Sequence, residues 1–325
     1  MSIKTRLQAA ALAAITLFGI SCSKDARETS PLLRPESLSG AAPQATLLAV
    51  MNSWMTGLPD NTNLARITIP GTHDSGARFE PIGGTAKCQH LTIGEQLEAG
   101  VRFLDIRCRH IGDAFAIHHG SIYQNLNFTD VITACVSFLD NHPGETIIMC
   151  VKEEYDPTGN TRSFEQTFDA YVAVNPGRWH MGASVPNLGS VRNKIVLLRR
   201  FGASSLPKGI DATNWADNTT FTSSNADATL RVQDQYVVPD NNAKWTGVTN
   251  LFNEANTSTN NTLFINFTSG YKSLIFGIPR ITTVSNNINP RINTYFTTNT
   301  FGRYGIIPMD FVDATRAQLI VESNF

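Results

Sequence analysis

Residues 66–76 read RITIPGTHDSG, a short β-branched run that ends in a His-Asp pair. The two isoleucines alternate as buried strand positions do, and Pro70 lacks the N–H that a strand ladder needs. The glycines on either side of the pair predict a backbone that few other residues can follow. The stretch therefore predicts a strand that ends at Pro70 and delivers His73 and Asp74 into a tight bend. A histidine after a strand can also be a simple turn residue, so His73 needs support from the rest of the chain.

Strand-like and helix-like runs alternate from residue 64 onward, which is typical of βα units and a parallel sheet. The predicted strands cover residues 66–69, 101–107, 115–118, 146–151, 194–198, 263–267 and 304–310. Thr92 and Glu95 form a capping box for a short helix that Gly100 ends, and residues 129–141 form a second helix. Residues 204–262 are rich in Asn, Thr and Ser and predict long loops with irregular strands. The pattern predicts a single α/β domain built as an irregular barrel.

The first residues resemble an export segment. Lys4 and Arg6 precede an apolar run at residues 9–20, and Cys22 follows. This layout predicts a signal peptide over residues 1–21, because about a dozen apolar residues fall short of the roughly 20 that a spanning helix needs. An uncleaved anchor is the alternative. Cys22 resembles the lipidated cysteine of bacterial lipoproteins, residues 22–46 predict a flexible tether, and the catalytic domain is expected over 47–325. The protein is therefore expected to be secreted or tethered to the bacterial surface.

Composition excludes several classes of function. The 26 basic and 27 acidic residues nearly cancel, which argues against nucleic-acid binding and against strong attraction to anionic membranes. No obligate protein partner is evident. Four cysteines besides Cys22 contain no C-x-x-C pair, so a thiolate metal site has almost no support. They are predicted to be buried free thiols, at positions Cys88, Cys108, Cys135 and Cys150.

Polar side chains gather at the ends of the predicted strands. Asp105 and Arg107 lie two residues apart and so share one strand face, and only one of His118 and His119 can share the face used by the others. A structural salt bridge is the simpler reading of the Asp-Arg pair. The carboxyl ends of barrel strands converge on one mouth, however. The residues predicted to meet there are His73, Asp74, Asp105, Arg107 and one of the two adjacent histidines.

Two histidines, carboxylates and an arginine suit general acid–base cleavage of a phosphodiester. One histidine takes a proton from the attacking hydroxyl, the other protonates the leaving oxygen, and the arginine balances the phosphate charge. A His/Asp cluster can also hold a metal. Arg107 argues against that reading, because a fixed cation repels a second one.

An ordered set of motifs resembles the bacterial phosphatidylinositol-specific phospholipase C family over nearly the whole mature domain. The motifs are IPGTHDSG (69–76), DIR (105–107), HHG (118–120), ETIIM (145–149) running to Lys152, KIVLLRR (194–200), VQDQY (232–236) and Asp310. The resemblance implies a distorted, incompletely closed TIM-type barrel. Residues 78–91 and 204–227 depart from the family pattern, and these segments are expected on the rim that meets the lipid.

The resemblance also implies roles for individual residues. His73 would be the general base, oriented by Asp310, and His119 the general acid, aided by Asp74. Arg107 would contact the phosphate, and Asp105 would support this cluster. The residues implied to hold the inositol ring are Lys152, Arg200, Asp234 and Tyr236.

The implied reaction cleaves phosphatidylinositol, in a membrane or micelle, to diacylglycerol and a 1,2-cyclic inositol phosphate. Glycosylated inositol lipid anchors are a further substrate class. Calcium-dependent relatives carry an acidic ligand where this chain has Arg107, so no metal cofactor is expected. Two alternatives stay open: a metal-dependent glycerophosphodiester phosphodiesterase, whose early His-Arg-Gly motif is absent here, and a catalytically silent inositol- or glycan-binding surface lipoprotein.

Overall fold

The computed structural model describes residues 51–273 and 277–325, which contain fourteen strands and seven α-helices. The strands are β1 (Ile69–Thr72), β2 (Phe103–Ile111), β3 (Ala114–His119), β4 (Ile122–Asn127), β5 (Ile147–Glu153), β6 (Trp179–His180), β7 (Ile195–Arg200), β8 (Ile210–Asp211), β9 (Thr220–Ser224), β10 (Thr229–Gln233), β11 (Leu263–Asn266), β12 (Lys272–Ser273), β13 (Pro279–Arg280) and β14 (Ile306–Met309). The helices are α1 (Ile93–Glu98), α2 (Phe128–Asn141), α3 (Phe164–Val174), α4 (Leu188–Val191), α5 (Asn241–Thr257), α6 (Thr282–Thr298) and α7 (Ala314–Glu322).

Twelve of these strands form one curved sheet, with the order β6-β7-β5-β2-β1-β14-β11-β10-β9 along its main path and β3, β4 and β8 attached to it. Strands β12 and β13 pair separately. Neighbours along this path are parallel except for the edge strand β9, which runs antiparallel to β10. Within the described residues no pairing joins β6 to β9, so the barrel is open on that side. The predicted single α/β domain and distorted, incompletely closed TIM-type barrel are confirmed.

The central strands are buried on both faces. In β1, β11 and β14 every residue is buried, as are the first five residues of β5 and of β7. Such strands read as continuous apolar runs because helices or loops cover the outer face while the barrel interior covers the other. This burial explains why most of the central strands could be predicted from the sequence.

The strand before the His-Asp pair begins later than predicted. Arg66 lies in a short 3-10 helix (Leu64–Arg66), and β1 continues through Pro70 to Thr72. Pro70 joins the sheet through its carbonyl, which accepts a hydrogen bond from the backbone N–H of Arg102 at 3.0 Å. Gly71 packs closely against β2, since a Cβ there would lie 3.0 Å from the ring of Phe103 and the ring would have to shift by a few tenths of an ångström.

The hairpin β3–β4 departs from the predicted parallel arrangement. β3 follows β2 through a tight turn and pairs antiparallel with it, and β4 pairs antiparallel with β3. The hairpin brings the adjacent histidines back toward the carboxyl end of β1. His119 therefore reaches the mouth by a different route from the one predicted.

Two of the helices match their prediction and one region was predicted wrongly. Thr92 and Glu95 form the capping box of α1, Gly100 follows at φ 102°, and α2 ends before Pro143. Residues 204–262, predicted as loops and irregular strands, contain the hairpin β9–β10 and the 17-residue helix α5. Only five residues of α5 are buried, so its apolar period is weak.

The cysteines agree with the sequence prediction: Cys88, Cys108, Cys135 and Cys150 are buried and free. The predicted signal peptide, Cys22 and the whole predicted tether lie outside the described residues. Among the helices that the structure describes, none has the length and apolar character needed to span a bilayer.

Candidate active site

The turn after β1 is hydrogen-bonded to strand β2. The Ser75 hydroxyl accepts a hydrogen bond from the backbone N–H of Asp105 at 2.8 Å, and the Ser75 N–H donates to the Asp105 carbonyl at 2.8 Å. Asp74 adopts a left-handed conformation (φ 40°), which aspartate tolerates better than most residues. A Cβ at Gly76 would lie 2.6 Å from the Ile117 side chain, so only glycine lets the turn pack against β3. The predicted tight bend is present, and its glycine is needed for close approach.

His73 is hydrogen-bonded through both ring nitrogens. Nδ1 lies 2.8 Å from Asp310 Oδ1, and Nε2 lies 2.8 Å from Arg107 Nη2. Because a guanidinium only donates, Nε2 is the acceptor and Nδ1–H donates to the carboxylate. Burial lowers the pKa of His73, but the Asp310 carboxylate outweighs it, so the pKa is raised overall. His73 is thus a basic imidazole in a fixed orientation.

His119 is held by a second carboxylate. Its Nδ1 lies 2.6 Å from Asp74 Oδ2, and Asp74 is completely buried. His118 points elsewhere: its Nδ1 lies 3.3 Å from the Gly120 carbonyl and its ring packs on Tyr123. The strand alternation therefore selects His119 as the histidine that shares the pocket.

Arg107 lies between the two histidines in a group of carboxylates. Its Nε donates to Asp105 Oδ2 at 3.2 Å, and Nη1 lies 3.9 Å from Asp74 Oδ2 and 4.0 Å from Glu154 Oε1. Burial would raise the pKa of Asp105, but the Arg107 charge outweighs it and holds the pKa at about 2. Asp105 therefore stays ionised beneath the guanidinium and fixes its position.

Three cations line up across adjacent strands. Arg107 on β2 is the register partner of Lys152 on β5, which in turn is the partner of Arg200 on β7. Residues in register share a face of the sheet, and all three line the same pocket. Glu154 Oε2 pairs with Lys152 Nζ at 2.7 Å. Burial would raise the Glu154 pKa, but Arg107 and Lys152 lower it to about 2.

The opposite wall of the pocket is aromatic and acidic. The Arg200 guanidinium lies 3.7 Å from the ring centroid of Trp215, whose Nε1 donates to Asp234 Oδ2 at 2.9 Å. Tyr236 donates its hydroxyl proton to Asp217 Oδ1 at 2.7 Å. A six-membered ring with several hydroxyl groups fits such a mixture of aromatic and charged groups, because its C–H face packs on aromatic rings while its hydroxyls bond to the charged groups.

The predicted site residues come together at the carboxyl ends of the strands. The pocket has a volume of about 540 Å³. Eight predicted residues line it: His73, Arg107, His119, Lys152, Arg200, Asp234, Tyr236 and Asp310. Asp74 and Asp105 are fully buried and contact the lining residues from below.

Sequence reasoning missed four residues of this region. Glu154 and Trp215 line the pocket. Gln89 donates from Nε2 to the carbonyls of His73 and Met309, both at 2.8 Å. Cys88 places its Sγ 3.7 Å from His119 Nδ1. Glu154 lies two residues after Lys152, and this strand spacing could have predicted that both side chains face the pocket. The other three residues lie in loops, where no regular spacing predicts the direction of a side chain.

Within residues 51–273 and 277–325, two groups of side chains have atoms that could hold a metal. They are His73 with Cys88 and Asp310, and Asp74 with Cys88 and His119, each with ligand atoms within 4.8 Å of one another. Both groups share the same thiol and include a histidine that contacts the pocket.

Comparison with known proteins identifies the family. The family model described as phosphatidylinositol-specific phospholipase C, X domain, matches residues 82–201. The chain is 32% identical to the 1-phosphatidylinositol phosphodiesterase of Staphylococcus aureus strain Newman, covering 81% of this chain and 89% of the relative. It is 30% identical to the enzyme of the same name from Listeria monocytogenes, covering 83% and 84%.

Solved structures give the same result. A mutant of the phosphatidylinositol-specific phospholipase C from Staphylococcus aureus superposes with a TM-score of 0.78 at 30% identity, covering 86% of this chain and 98% of the other. The Listeria monocytogenes enzyme superposes with a TM-score of 0.69 at 26% identity, covering 85% and 99%. By sequence and by fold, the chain belongs to the bacterial phosphatidylinositol-specific phospholipase C family.

Proposed function

We propose that this protein is a phosphatidylinositol-specific phospholipase C that cleaves phosphatidylinositol to diacylglycerol and 1,2-cyclic inositol phosphate. The observation that carries the proposal is the arrangement of His73 and His119, each held at Nδ1 by a carboxylate, on either side of Arg107. The names of the relatives support the substrate, since they are 1-phosphatidylinositol phosphodiesterases.

The first step is attack by the inositol 2-hydroxyl oxygen on phosphorus. His73 takes the hydroxyl proton at Nε2, and Asp310 stabilises the resulting imidazolium through Nδ1–H. In the free protein Arg107 donates to Nε2, so the phosphate must draw the guanidinium away before Nε2 can accept. Substrate binding therefore frees the base and neutralises the phosphate through one movement of Arg107.

The second half of the step is departure of the diacylglycerol oxygen. The bond from phosphorus to that oxygen breaks as His119 protonates it, and Asp74 keeps the imidazole in place through Nδ1. The products are diacylglycerol and the cyclic phosphodiester, which water then opens slowly with the two histidines in exchanged roles.

Selectivity for inositol is proposed to come from the walls of the pocket. Lys152 and Arg200 donate to ring hydroxyls, Asp234 accepts from them, and Tyr236 packs on the ring face. A substrate without ring hydroxyls, such as phosphatidylcholine, lacks these hydrogen bonds, each of which contributes about 0.5–1.5 kcal/mol, or about 1.5–3 kcal/mol where it involves a charged group. The same open pocket is proposed to admit glycosylated inositol lipid anchors.

We further propose that catalysis needs no metal, because Arg107 supplies the positive charge at the phosphate. The leader is proposed to direct export and Cys22 to carry a lipid, which leaves residues 22–46 as the tether of a catalytic domain over 47–325. Labelling with a radioactive fatty acid, compared between wild type and Cys22→Ala, tests the lipidation.

The reaction is tested by phosphorus NMR. Purified protein in chelator is mixed with phosphatidylinositol micelles, with phosphatidylcholine micelles as a control. A cyclic inositol phosphate resonance from the inositol lipid alone is expected. A signal that appears only after calcium is restored would contradict the proposed role of Arg107, and no signal under any condition would favour a binding lipoprotein.

The adjacent histidines provide a matched pair of variants. His119→Ala is expected to lower kcat by about 10²–10⁴-fold, the usual contribution of positioned proton transfer. His118→Ala removes a neighbouring imidazole of the same strand that does not face the pocket, and kcat is expected to stay within a fewfold of wild type. An equal loss of kcat in both variants would exclude His119 as the general acid.

A further inference from the structure

Cys88 lies behind His119 and has no role in the proposed reaction. Its backbone N–H donates to Ala77 O at 2.8 Å, and its carbonyl accepts from Phe311 N at 2.7 Å. These two bonds fix the backbone on both sides, and the thiol is completely buried. Its Sγ is held 3.7 Å from His119 Nδ1.

Asp74 supplies a second, independent observation. Its Oδ2 is bonded to His119, but Oδ1 is buried and has no hydrogen-bond partner among the described residues. A buried carboxylate oxygen without a donor is costly, and such atoms call for an explanation, a bound ion being one. Asp74 belongs to the same group of possible metal-ligating side chains as Cys88 and His119.

We propose that Cys88, His119 and Asp74 form an inhibitory site for a zinc-like divalent cation. The atoms Sγ, Nδ1 and a carboxylate oxygen lie within 4.8 Å of one another. Zinc bonds of about 2.3 Å to sulfur and about 2.0 Å to nitrogen in a tetrahedron place those two ligands roughly 3.5 Å apart. The observed separation of 3.7 Å is close to that value.

The ligand types and charges also favour a soft cation. Thiolate, imidazole and carboxylate together suit zinc, whereas magnesium and calcium prefer oxygen ligands. Arg107 opposes any nearby cation, but its charge is shared with Asp105 and Glu154, and a Cys88 thiolate adds a negative charge. The metal replaces the thiol proton and the proton on His119 Nδ1, with no change in oxidation state.

Occupation of this site would block turnover. The metal takes the place of the proton that joins Asp74 to His119 at 2.6 Å, so the carboxylate no longer orients a proton-donating imidazole. Inhibition depends on the proposed function, but binding does not. The two are therefore measured separately.

The first measurement is the binding of Zn²⁺ alone to the purified protein, determined by titration calorimetry. Wild type is expected to bind one equivalent, and Cys88→Ala to bind at least about 100-fold more weakly, since loss of an outer-sphere partner alone costs roughly 10–100-fold. Cys135→Ala, which removes another buried thiol, is the matched control and keeps wild-type affinity. Cys88→Ser is a second variant that keeps the side-chain size while removing the thiolate.

His119→Ala and His73→Ala decide between the two groups that share Cys88. Binding is expected to be lost in His119→Ala and kept in His73→Ala, and neither result depends on activity. The reverse pattern, or unchanged binding in Cys88→Ala, would overturn the site.

The second measurement is cleavage of phosphatidylinositol with added metal. Equimolar Zn²⁺ is expected to inhibit wild type and Cys135→Ala, to leave Cys88→Ala active, and to be reversed by chelator, while Mg²⁺ has no effect. Equal inhibition of wild type and Cys88→Ala would refute the inhibitory site. If the protein shows no lipid cleavage at all, the proposed function fails while the calorimetric result still decides whether the metal binds.

Discussion

His73 has two hydrogen bonds with opposite consequences for its basicity. Asp310 accepts from Nδ1–H and favours the imidazolium, whereas Arg107 donates to Nε2 and favours the neutral ring. The raised pKa of His73 shows that the carboxylate prevails, even against the effect of burial. The residue is therefore a stronger base than a free imidazole, and its basicity depends on one neighbour.

Asp310→Asn tests that dependence. The amide oxygen still accepts from Nδ1–H, so the ring stays oriented, but the negative charge is lost and the pKa of His73 falls. The general base must be neutral, so the acid limb of kcat/KM should move to lower pH, while kcat falls by about 10²–10⁴-fold. The measurement is kcat/KM against pH for both proteins. An acid limb at an unchanged pH would mean that Asp310 does not set the basicity of His73.

Arg107→Lys tests whether the guanidinium has to act at two points. Lysine keeps the charge but lacks the planar fork of donors with which the guanidinium can stay bonded to Asp105 while it donates to the phosphate. Loss of such a donor from a charge-stabilising site costs about 10²–10³-fold in kcat. Arg109→Lys is the matched control, because Arg109 lies on the same strand and contacts Tyr155 and the Asp156 carbonyl instead. If the Arg107 variant retains wild-type kcat, the proposed movement of the guanidinium is wrong.

At the scale of elements, the ends of β1 and β14 are held together by a loop residue. Gln89 donates to the carbonyls of His73 and Met309, and its Oε1 accepts from Val312 N at 3.3 Å. These bonds reinforce the direct pairing of the two strand ends, where the His73 N–H donates to the Met309 carbonyl at 3.0 Å. The loop is thus part of the support of the site.

Gln89→Leu is expected to lower both stability and turnover. It removes the amide donor to the His73 carbonyl, while the Met309 carbonyl keeps the His73 N–H as a donor. A buried group left unpaired costs about 1–3 kcal/mol. Urea denaturation measures the free energy of unfolding, and kcat with phosphatidylinositol measures the effect on the site. Gln318→Ala, on the exposed face of α7, is the control and should change stability by less than about 0.5 kcal/mol. A Gln89 variant as stable as that control would exclude the supporting role.

The sequence predicted elements best where local and tertiary signals agree. β5 and β7 are buried on both faces, so their sequences are continuous apolar runs. The start of α1 was predicted by its capping box. Helix α5 was missed because its mean hydropathy is low and few of its residues are buried. The antiparallel direction of β3 was missed because the turn at Gly112 and Asp113, both at positive φ, was not recognised as a hairpin.

The candidate site was predictable to a similar degree and for related reasons. Residues on strands, such as Asp105 and Arg107, follow the two-residue alternation and were placed on one face from sequence. The pairing of each histidine with a carboxylate joins distant parts of the chain, so it rested on the family resemblance. Gln89 and Cys88 come from a loop, where position is set by tertiary contacts and no period exists to predict it.

At the scale of the whole molecule, the mouth of the barrel carries an apolar rim. Glu80 accepts hydrogen bonds from the backbone N–H groups of residues 84–87 and so shapes one loop, and Gly84 O accepts from Ile281 N to join it to a second loop. Ile82 and Ile278 are 67% and 47% exposed on these two loops. Isoleucines in such positions beside the pocket suit insertion into a lipid surface.

The double variant Ile82→Ser/Ile278→Ser tests this role of the rim. Burying one such side chain contributes roughly 1.5–3 kcal/mol, so the pair should weaken binding to phosphatidylcholine vesicles by at least about 10-fold. Hydrolysis of water-soluble cyclic inositol phosphate should be unchanged, because the pocket is untouched. Because the net charge is −1, wild-type binding to these neutral vesicles should also persist at high salt.

Phe301→Ser provides the control for that variant. Phe301 is 75% exposed, and its neighbour Gly302 accepts a hydrogen bond from Thr68 just before β1, at the amino end of the strands. The active site lies at the opposite, carboxyl end, so this substitution should leave vesicle sedimentation unchanged. Equal weakening by Phe301→Ser would show that exposed apolar area in general governs adsorption. Weakening by the rim variant alone would tie membrane binding to the end of the barrel that carries His73 and His119.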